Sequence, residues 1–152
     1  YSICECGRGD IFLSGLKGDA EVNSLSGKTV IERAEGRLEC DISSGSLTVR
    51  ESKIAEGSVL YASTGTITAD LNGMDDSGSY TLKSPAGDIM VDLPENSGWS
   101  LNAKSTRGRV KNNIEQFTKC LEKSPDGVVY GDVNGGGPTV DIYTDRGNIT
   151  LS

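Results

Sequence analysis

The chain has 152 residues, a length typical of one domain, and its 15 Lys+Arg against 22 Asp+Glu give a net charge of −7. This acidic balance argues against nucleic acid and anionic membrane surfaces as partners, because both attract basic proteins. No apolar run approaches the ~20 residues of a membrane-spanning helix, so we expect no direct membrane insertion. The sequence contains no histidine, which excludes a Ser-His-Asp triad, a Cys-His pair and any histidine-ligated metal.

Glycine, with 20 residues, recurs along the chain at a regular interval. Two interleaved series have successive gaps of 18–22 residues, and the final gap in each is 39 residues. A repeat of this length with two glycine turns is typical of a solenoid, in which each repeat stacks on the next. The first series is Gly9, Gly27, Gly45, Gly65, Gly87, Gly108 and Gly147, and the second is Gly18, Gly36, Gly57, Gly78, Gly98 and Gly137.

The residues on either side of the first glycine series alternate between apolar and polar, which is the period of a β-strand. We place the apolar side chains inside a coiled tube, where equivalent positions stack at the interstrand spacing of ~4.8 Å. A Ser/Thr column three residues before the glycine is expected to satisfy backbone groups at each bend. The apolar column two residues after the glycine contains Ile11, Thr29, Leu47, Ile67, Ile89, Val110 and Ile149.

These patterns predict an all-β fold, a single-stranded parallel β-helix (β-solenoid) of about seven rungs, with 18–22 residues in each rung. We expect the rungs to stack in chain order, which puts Ile89 between Ile67 and Val110. The fourth repeat aligns as one residue shorter than the others, so Val59 and Tyr61 are predicted to point inward.

One segment, 113–123, breaks the alternating pattern. Its apolar residues have the spacing of a helix, and the Pro-Asp-Gly sequence at 125–127 would end such a helix. We therefore predict a short helix or a loop near 113–136. The apolar residues in question are Ile114, Phe117, Cys120 and Leu121.

The domain organisation follows from the same repeat. Residues 1–152 are expected to form one β-solenoid domain, with 117–136 inserted before the last rung. A solenoid needs polar caps, and neither end of the sequence has one. We expect the domain to be excised from a longer chain. The alternative is that its open ends pair with another chain, end to end.

The repeat motifs resemble a known group of proteins. The segments Tyr80–Ile89 (YTLKSPAGDI) and Gly137–Ile149 (GPTVDIYTDRGNI) carry the likeness, which extends over nearly all of the chain. They resemble the bacterial putative-adhesin β-strand-repeat family, a domain of unknown function. This resemblance implies a parallel β-helix beside membrane-anchoring or envelope segments, and therefore a cell-envelope or extracellular location. The family offers no agreed catalytic residues.

Two outward carboxylates are the candidate catalytic residues. Asp70 and Asp92 are predicted one rung apart in the same column, close to the ~5 Å separation of the carboxyl groups in retaining glycosidases. An enzyme built on them would be a polysaccharide lyase or hydrolase. The alternative is a solvated charge ladder, in which Arg50 neutralises Glu32 and Asp70.

Three outward residues are the candidate binding residues. Tyr143 is predicted beside Lys83 and Lys104, and an aromatic ring next to two lysines is a plausible recognition patch. Trp99 and Tyr130 are further candidates for exposed aromatic contacts. A plain surface position is the alternative for each.

Neither a metal nor a cofactor is predicted. Cys4, Cys6, Cys40 and Cys120 lack the spacing of a zinc knuckle. Cys4 and Cys40 fall two rungs apart, too far for a disulfide. We predict free thiols, which leave a cytoplasmic location open. The Arg8–Asp10 tripeptide, RGD, is read as a repeat corner.

The predicted function is a non-enzymatic module for adhesin-like surface display, or a rigid spacer. Its stacked outward columns would meet a protein or polysaccharide surface, with no nucleic acid involved. Two alternatives remain at this stage. One is the carbohydrate-active β-helix using Asp70 and Asp92, and the other is a self-assembling scaffold similar to bactofilin filaments.

Overall fold

The structure is a computed structural model that describes residues 1–74, 78–92, 98–112, 117–123, 128–133 and 137–151. Within these ranges the fold is all-β, with fifteen strands and no helix. No helix among these residues is therefore long or apolar enough to cross a membrane. The strands are β1 Ser2–Arg8, β2 Ile11–Ser14, β3 Ala20–Glu32, β4 Glu35–Gly36, β5 Leu38–Ile54, β6 Val59–Thr64, β7 Ile67–Met74, β8 Ser79–Ser84, β9 Ile89–Asp92, β10 Trp99–Ser105, β11 Val110–Asn112, β12 Phe117–Lys123, β13 Val128–Val133, β14 Thr139–Thr144 and β15 Ile149–Leu151.

The strands form one continuous, mostly parallel sheet. Up to β9, neighbouring strands come from successive repeats: Cys4 lies opposite Val22, and Val22 opposite Cys40. β3 and β5 run through the corner glycines and join two faces. The first face contains β1, β6, β8, β10 and β14 with the leading halves of β3 and β5, and the second face contains β2, β7, β9, β11 and β15 with their trailing halves.

The core consists of columns of side chains that point inward from both faces, as the alternation predicts. The fourth repeat departs from the prediction, because Leu60 and Ala62 are buried while Val59 is 39% exposed. Ser58 explains the difference: its hydroxyl donates to the Ala55 carbonyl (2.7 Å) and accepts from the Leu38 N–H (3.0 Å). A satisfied serine can be buried, so this repeat keeps the offset of the others and Tyr61 points outward.

The predicted helix or loop near 113–136 is wrong for the residues that the structure describes, because 117–123 and 128–133 are strands. β12 and β13 form an antiparallel hairpin, and β13 pairs antiparallel with β10, where Val133 lies opposite Trp99. A strand leaves fewer backbone groups unpaired here, because the edge of β10 offers donors and acceptors that a helix would not use. The Pro-Asp-Gly sequence falls outside the described residues.

The rungs do not stack in chain order. The last rung, β14 and β15, lies between the rung of β8 and β9 and the rung of β10 and β11. Ile89 therefore packs between Ile67 and Ile149, and Val110 lies beyond Ile149. The hairpin already occupies the other edge of β10, so the last rung pairs on the side towards β8.

The corner between the two faces is built from the first glycine series. A Cβ atom at Gly87 would overlap the Gly65 carbonyl, and one at Gly147 would overlap the Gly87 carbonyl. The predicted role of the Ser/Thr column is confirmed in the later rungs, because the Ser84 hydroxyl donates to the Gly65 carbonyl (2.7 Å) and Thr144 to that of Gly87 (2.9 Å). It is wrong for Ser24, whose buried hydroxyl has no hydrogen-bond partner among the described residues. Steric fit and hydrogen bonds thus fix the same rung order.

We expect Ile89→Asp to unfold the domain. The Ile89 side chain is 0% exposed between two other isoleucines, and a carboxylate there would be buried without a partner, at a cost of about 3 kcal/mol or more. Met90→Asp is the matched control, because Met90 is the next residue along and is 45% exposed. Thermal denaturation followed by circular dichroism should lose its cooperative transition only in the first variant. An unchanged melting temperature for Ile89→Asp would contradict the register.

The corner makes a second prediction. Gly87→Ala should destabilise the domain by about 1–3 kcal/mol, because its Cβ would displace the Gly65 carbonyl. Gly7→Ala should have little effect, since nothing lies within 4 Å of a Cβ atom at that position. Urea denaturation of the two variants measures the difference. Equal stabilities would show that the corner relaxes without cost.

Candidate functional site

A row of outward side chains runs across the first face, one from each strand. From β6 to β10, Tyr61 lies opposite Lys83, Lys83 opposite Tyr143, and Tyr143 opposite Lys104. We call these four residues the tyrosine–lysine row. In the other direction the same row continues through Asp41, Asn23 and Glu5.

Tyr143 has a lysine on each side because the last rung lies between β8 and β10. The Lys83 Nζ atom is 5.5 Å from the centre of the Tyr143 ring, within range of a cation–π contact. The Tyr143 hydroxyl lies 3.3 Å from Thr106 Oγ1, within hydrogen-bond distance. These two contacts fix the orientation of the Tyr143 ring. The structure thus brings together the three predicted binding residues, Lys83, Lys104 and Tyr143.

An acidic groove of about 560 Å³ adjoins the tyrosine–lysine row. Tyr61 forms part of its wall together with Val59, and three carboxylates supply its polar lining. The carboxylates are those of Glu21, Glu39 and Asp41. The groove therefore combines an aromatic and an aliphatic wall with several hydrogen-bond acceptors.

Hydrogen bonds hold one of these carboxylates in place. Glu21 accepts from the Asn23 side-chain amide (3.0 Å) and from the Tyr1 hydroxyl (2.8 Å). Both bonds favour the charged form, so the pKa of Glu21 lies below its usual value, with Asn23 as the larger cause. The hydrogen bond between Glu21 and Tyr1 also raises the pKa of the Tyr1 hydroxyl.

A second, smaller groove of about 390 Å³ shares Asn23 and Asp41 with the first. Glu5, Ser43 and the exposed Leu25 complete much of its lining. The two grooves are therefore contiguous along the first face. Together with the tyrosine–lysine row they form one polar surface with apolar side chains set into it.

The candidate catalytic pair lies on the second face, away from both grooves. Asp70 and Asp92 are opposite one another on β7 and β9. On β5, Arg50 forms an ion pair with Glu32 at 3.5 Å, and the register between β5 and β7 shifts between Val49 and Ser52. Asp70 and Asp92 are thus neighbours, and of the predicted charge ladder the structure shows the pair of Arg50 with Glu32.

The cysteines and the RGD tripeptide have structural surroundings. Among the described cysteines, Cys4, Cys6 and Cys40 are free, and burial raises the pKa of the Cys40 thiol. Within the part of the chain that the structure describes, no group of three Cys, Asp or Glu residues could hold a metal ion. Asp10 accepts a hydrogen bond from the Lys28 N–H at 3.0 Å, which is the role of a corner residue.

Two components of this surface do not follow from the sequence patterns. Tyr61 is predicted to point inward, and the carboxylates of the acidic groove have no predicted role. A constant offset from each glycine, applied to the fourth repeat, would have placed Tyr61 in the row of Lys83. Trp99, taken as a candidate for exposure, is buried in the core, whereas Tyr130 is exposed.

Comparison with known proteins gives a likeness of fold. No family model matches the chain, and no curated protein matches its sequence. Among solved structures, it is similar to a putative cell adhesion protein from Clostridium sporogenes, with a TM-score of 0.50 and 12% sequence identity. The alignment covers 99% of this chain and 91% of that chain. At this identity the likeness concerns the fold alone.

The Glu21 contacts make a prediction for titration. Asn23→Ala should raise the pKa of Glu21 towards its usual value, and Tyr1→Phe should raise it less, because Asn23 is the larger cause. Folding lowers the pKa of Glu21, so ionised Glu21 stabilises the folded state at neutral pH. This contribution is lost as the pH falls through the lowered pKa. Carboxyl carbon NMR titration measures the pKa. An unchanged value in both variants would mean that the side chains do not bond in solution.

Proposed function

We propose that the chain is a parallel β-helix, with one repeat of 18–22 residues for each turn. The support is the register, in which successive parallel strands of both faces are one repeat apart through the first five rungs. The glycine corner supports the same architecture, because equivalent glycines of neighbouring rungs are in contact. Such a scaffold presents rows of side chains at fixed spacing.

On this scaffold, we propose a non-enzymatic, adhesin-like binding module whose ligand is a polysaccharide. The tyrosine–lysine row is the observation that carries the proposal. It sets two aromatic and two lysine side chains in one row over four strands. Because neighbouring strands are ~4.8 Å apart, the Cα atoms of successive residues in the row have the same spacing. A polymer with repeating units would meet the same kinds of group along its length.

Each group in the row suits a sugar chain. A tyrosine offers an apolar ring face and a hydroxyl, and it loses little conformational entropy on binding. The lysines Lys83 and Lys104 are exposed and would donate hydrogen bonds to hydroxyl or carboxylate oxygens. The carboxylates of the acidic groove would accept from sugar hydroxyls. The surface therefore offers both donors and acceptors beside apolar contacts.

The fold of the similar protein from Clostridium sporogenes is consistent with this role, because that protein is described as a putative cell adhesion protein. A parallel β-helix with a binding face would serve adhesion in this chain. The net charge of −7 remains an argument against nucleic acid as the ligand.

End-to-end assembly is a second candidate function, and the first rung supplies the observation that favours it. Among the described residues, β1 and β2 pair with β3 alone and leave their other edge open. Ile3 and Phe12 on these strands are 60% and 65% exposed. Open strand edges with apolar residues are sites of association. Copies of the chain would stack on this edge in a scaffold.

Binding is tested by co-sedimentation of the domain with insoluble polysaccharide fractions. Tyr143→Ala and Lys83→Ala should each lower the affinity measured by saturable pelleting by about tenfold. This is the usual effect of truncating an interface side chain that contributes strongly to binding. Met90→Ala and Lys111→Ala are the matched controls, because these exposed residues lie on the second face. The controls should pellet as the wild type does.

Three outcomes would replace the proposal. Equal loss in the controls would mean nonspecific adsorption. Concentration-dependent self-association without pelleting would favour the scaffold. Release of reducing ends or unsaturated sugars, abolished by Asp92→Asn, would favour the enzyme built on Asp70 and Asp92.

A further inference from the structure

The position of the last rung separates it in sequence from both of its neighbours. Val140 on β14 lies opposite Tyr80 on one side and Leu101 on the other. β15 lies in the same way between β9 and β11. The segment 139–151 therefore fills a slot, which we call the last-rung slot. Its two walls are the rungs 79–92 and 99–112.

Both walls of the last-rung slot form backbone hydrogen bonds to this segment and the residue before it. The Ser100 N–H donates to the Pro138 carbonyl (2.8 Å) on one wall, and the Ile89 N–H donates to the Asn148 carbonyl (2.9 Å) on the other. Without the segment these wall groups would lose their partners. Unpaired buried backbone groups are costly, so an empty slot is under strong pressure to take up a strand.

The last-rung slot is selective for this sequence in this register. The Ser105 hydroxyl donates to the Gly147 carbonyl (2.7 Å), and the Thr144 hydroxyl donates to the Gly87 carbonyl (2.9 Å). A side chain in place of Gly147 would overlap the backbone of the wall. The inward residues of the segment are all buried: Val140, Ile142, Thr144, Ile149 and Leu151.

The last rung follows β13 closely in the sequence. β13 ends with Val133 opposite Trp99, and β14 begins with Thr139 opposite Ser100. β13 and β14 therefore lie on opposite sides of β10, with five residues between them in the sequence. Their sequence is Asn-Gly-Gly-Gly-Pro, and glycine imposes little preference on the direction of the chain.

We propose that the last-rung slot accepts segment 139–151 from a second copy of the chain, so that two molecules exchange their last rungs. An identical segment reproduces every contact of the slot, which a strand of different sequence would not. The exchanged pair keeps all the strand pairings of the single molecule, and in it β13 and β14 of one chain no longer flank the same β10. Exchange of an identical element is a general route to a dimer.

The test uses two full-length variants, Thr81→Cys and Asp141→Cys. These positions lie opposite one another on β8 and β14, and both are half-buried on the outer surface. Adjacent strand positions are close enough for a disulfide. The two variants are mixed while unfolded, refolded together at high protein concentration and oxidised. We expect a dimer in which peptide mapping finds position 81 of one chain linked to position 141 of the other.

The control pair is Asn23→Cys with Asp41→Cys, which lie opposite one another on β3 and β5. These strands belong to consecutive rungs and are not exchanged in the proposed dimer. Their mixture should give no link between chains, and neither should the first pair when each variant is folded before mixing. Monomers at every refolding concentration would overturn the proposal, as would dimers linked equally often by both pairs.

Discussion

The corner glycines impose the constraint on which the rest of the structure depends. Successive rungs approach so closely there that a Cβ atom at Gly27, Gly45 or Gly65 would overlap the carbonyl of the rung below. This contact fixes the spacing and the register at one point in every rung. The strands that leave the corner therefore pair in register on both faces, and their inward side chains fall into columns. A core with few aromatic residues is sufficient because each column is stacked without offset.

Much of the fold could be predicted from the sequence, because the information is local. The glycine spacing and the alternation of apolar residues predict strands, corners and most of the core columns. The prediction for the fourth repeat is wrong because Val59 and Tyr61 have a higher strand propensity than Ser58 and Leu60 taken together. The buried serine depends on two backbone partners, Ala55 and Leu38, and such partners are visible only in three dimensions.

The order of the rungs could not be predicted by the same reasoning. Every repeat carries the same pattern, so the pattern does not tell which two repeats are neighbours. The segment after β11 also has a spacing that suits a helix, and the free edge of β10 decides in favour of a hairpin. The candidate site depends on the same order: three of its residues are predicted from the sequence, but the placement of Tyr143 between two lysines follows from the order of the rungs.

The displaced last rung also has a consequence for folding kinetics. The first rungs pair with partners 18–22 residues away, whereas Thr139 pairs with Ser79, 60 residues earlier. Closing a loop of that length costs more entropy, and non-local pairing slows folding. On the ribosome the rungs up to β9 can form as they emerge, but the rung of β10 and β11 has to wait, with one edge unpaired, until residues 139–151 are synthesised. We therefore expect the part of the molecule from β10 to β15 to be the last to acquire native structure. Its unpaired strand edges would be the first that a chaperone binds.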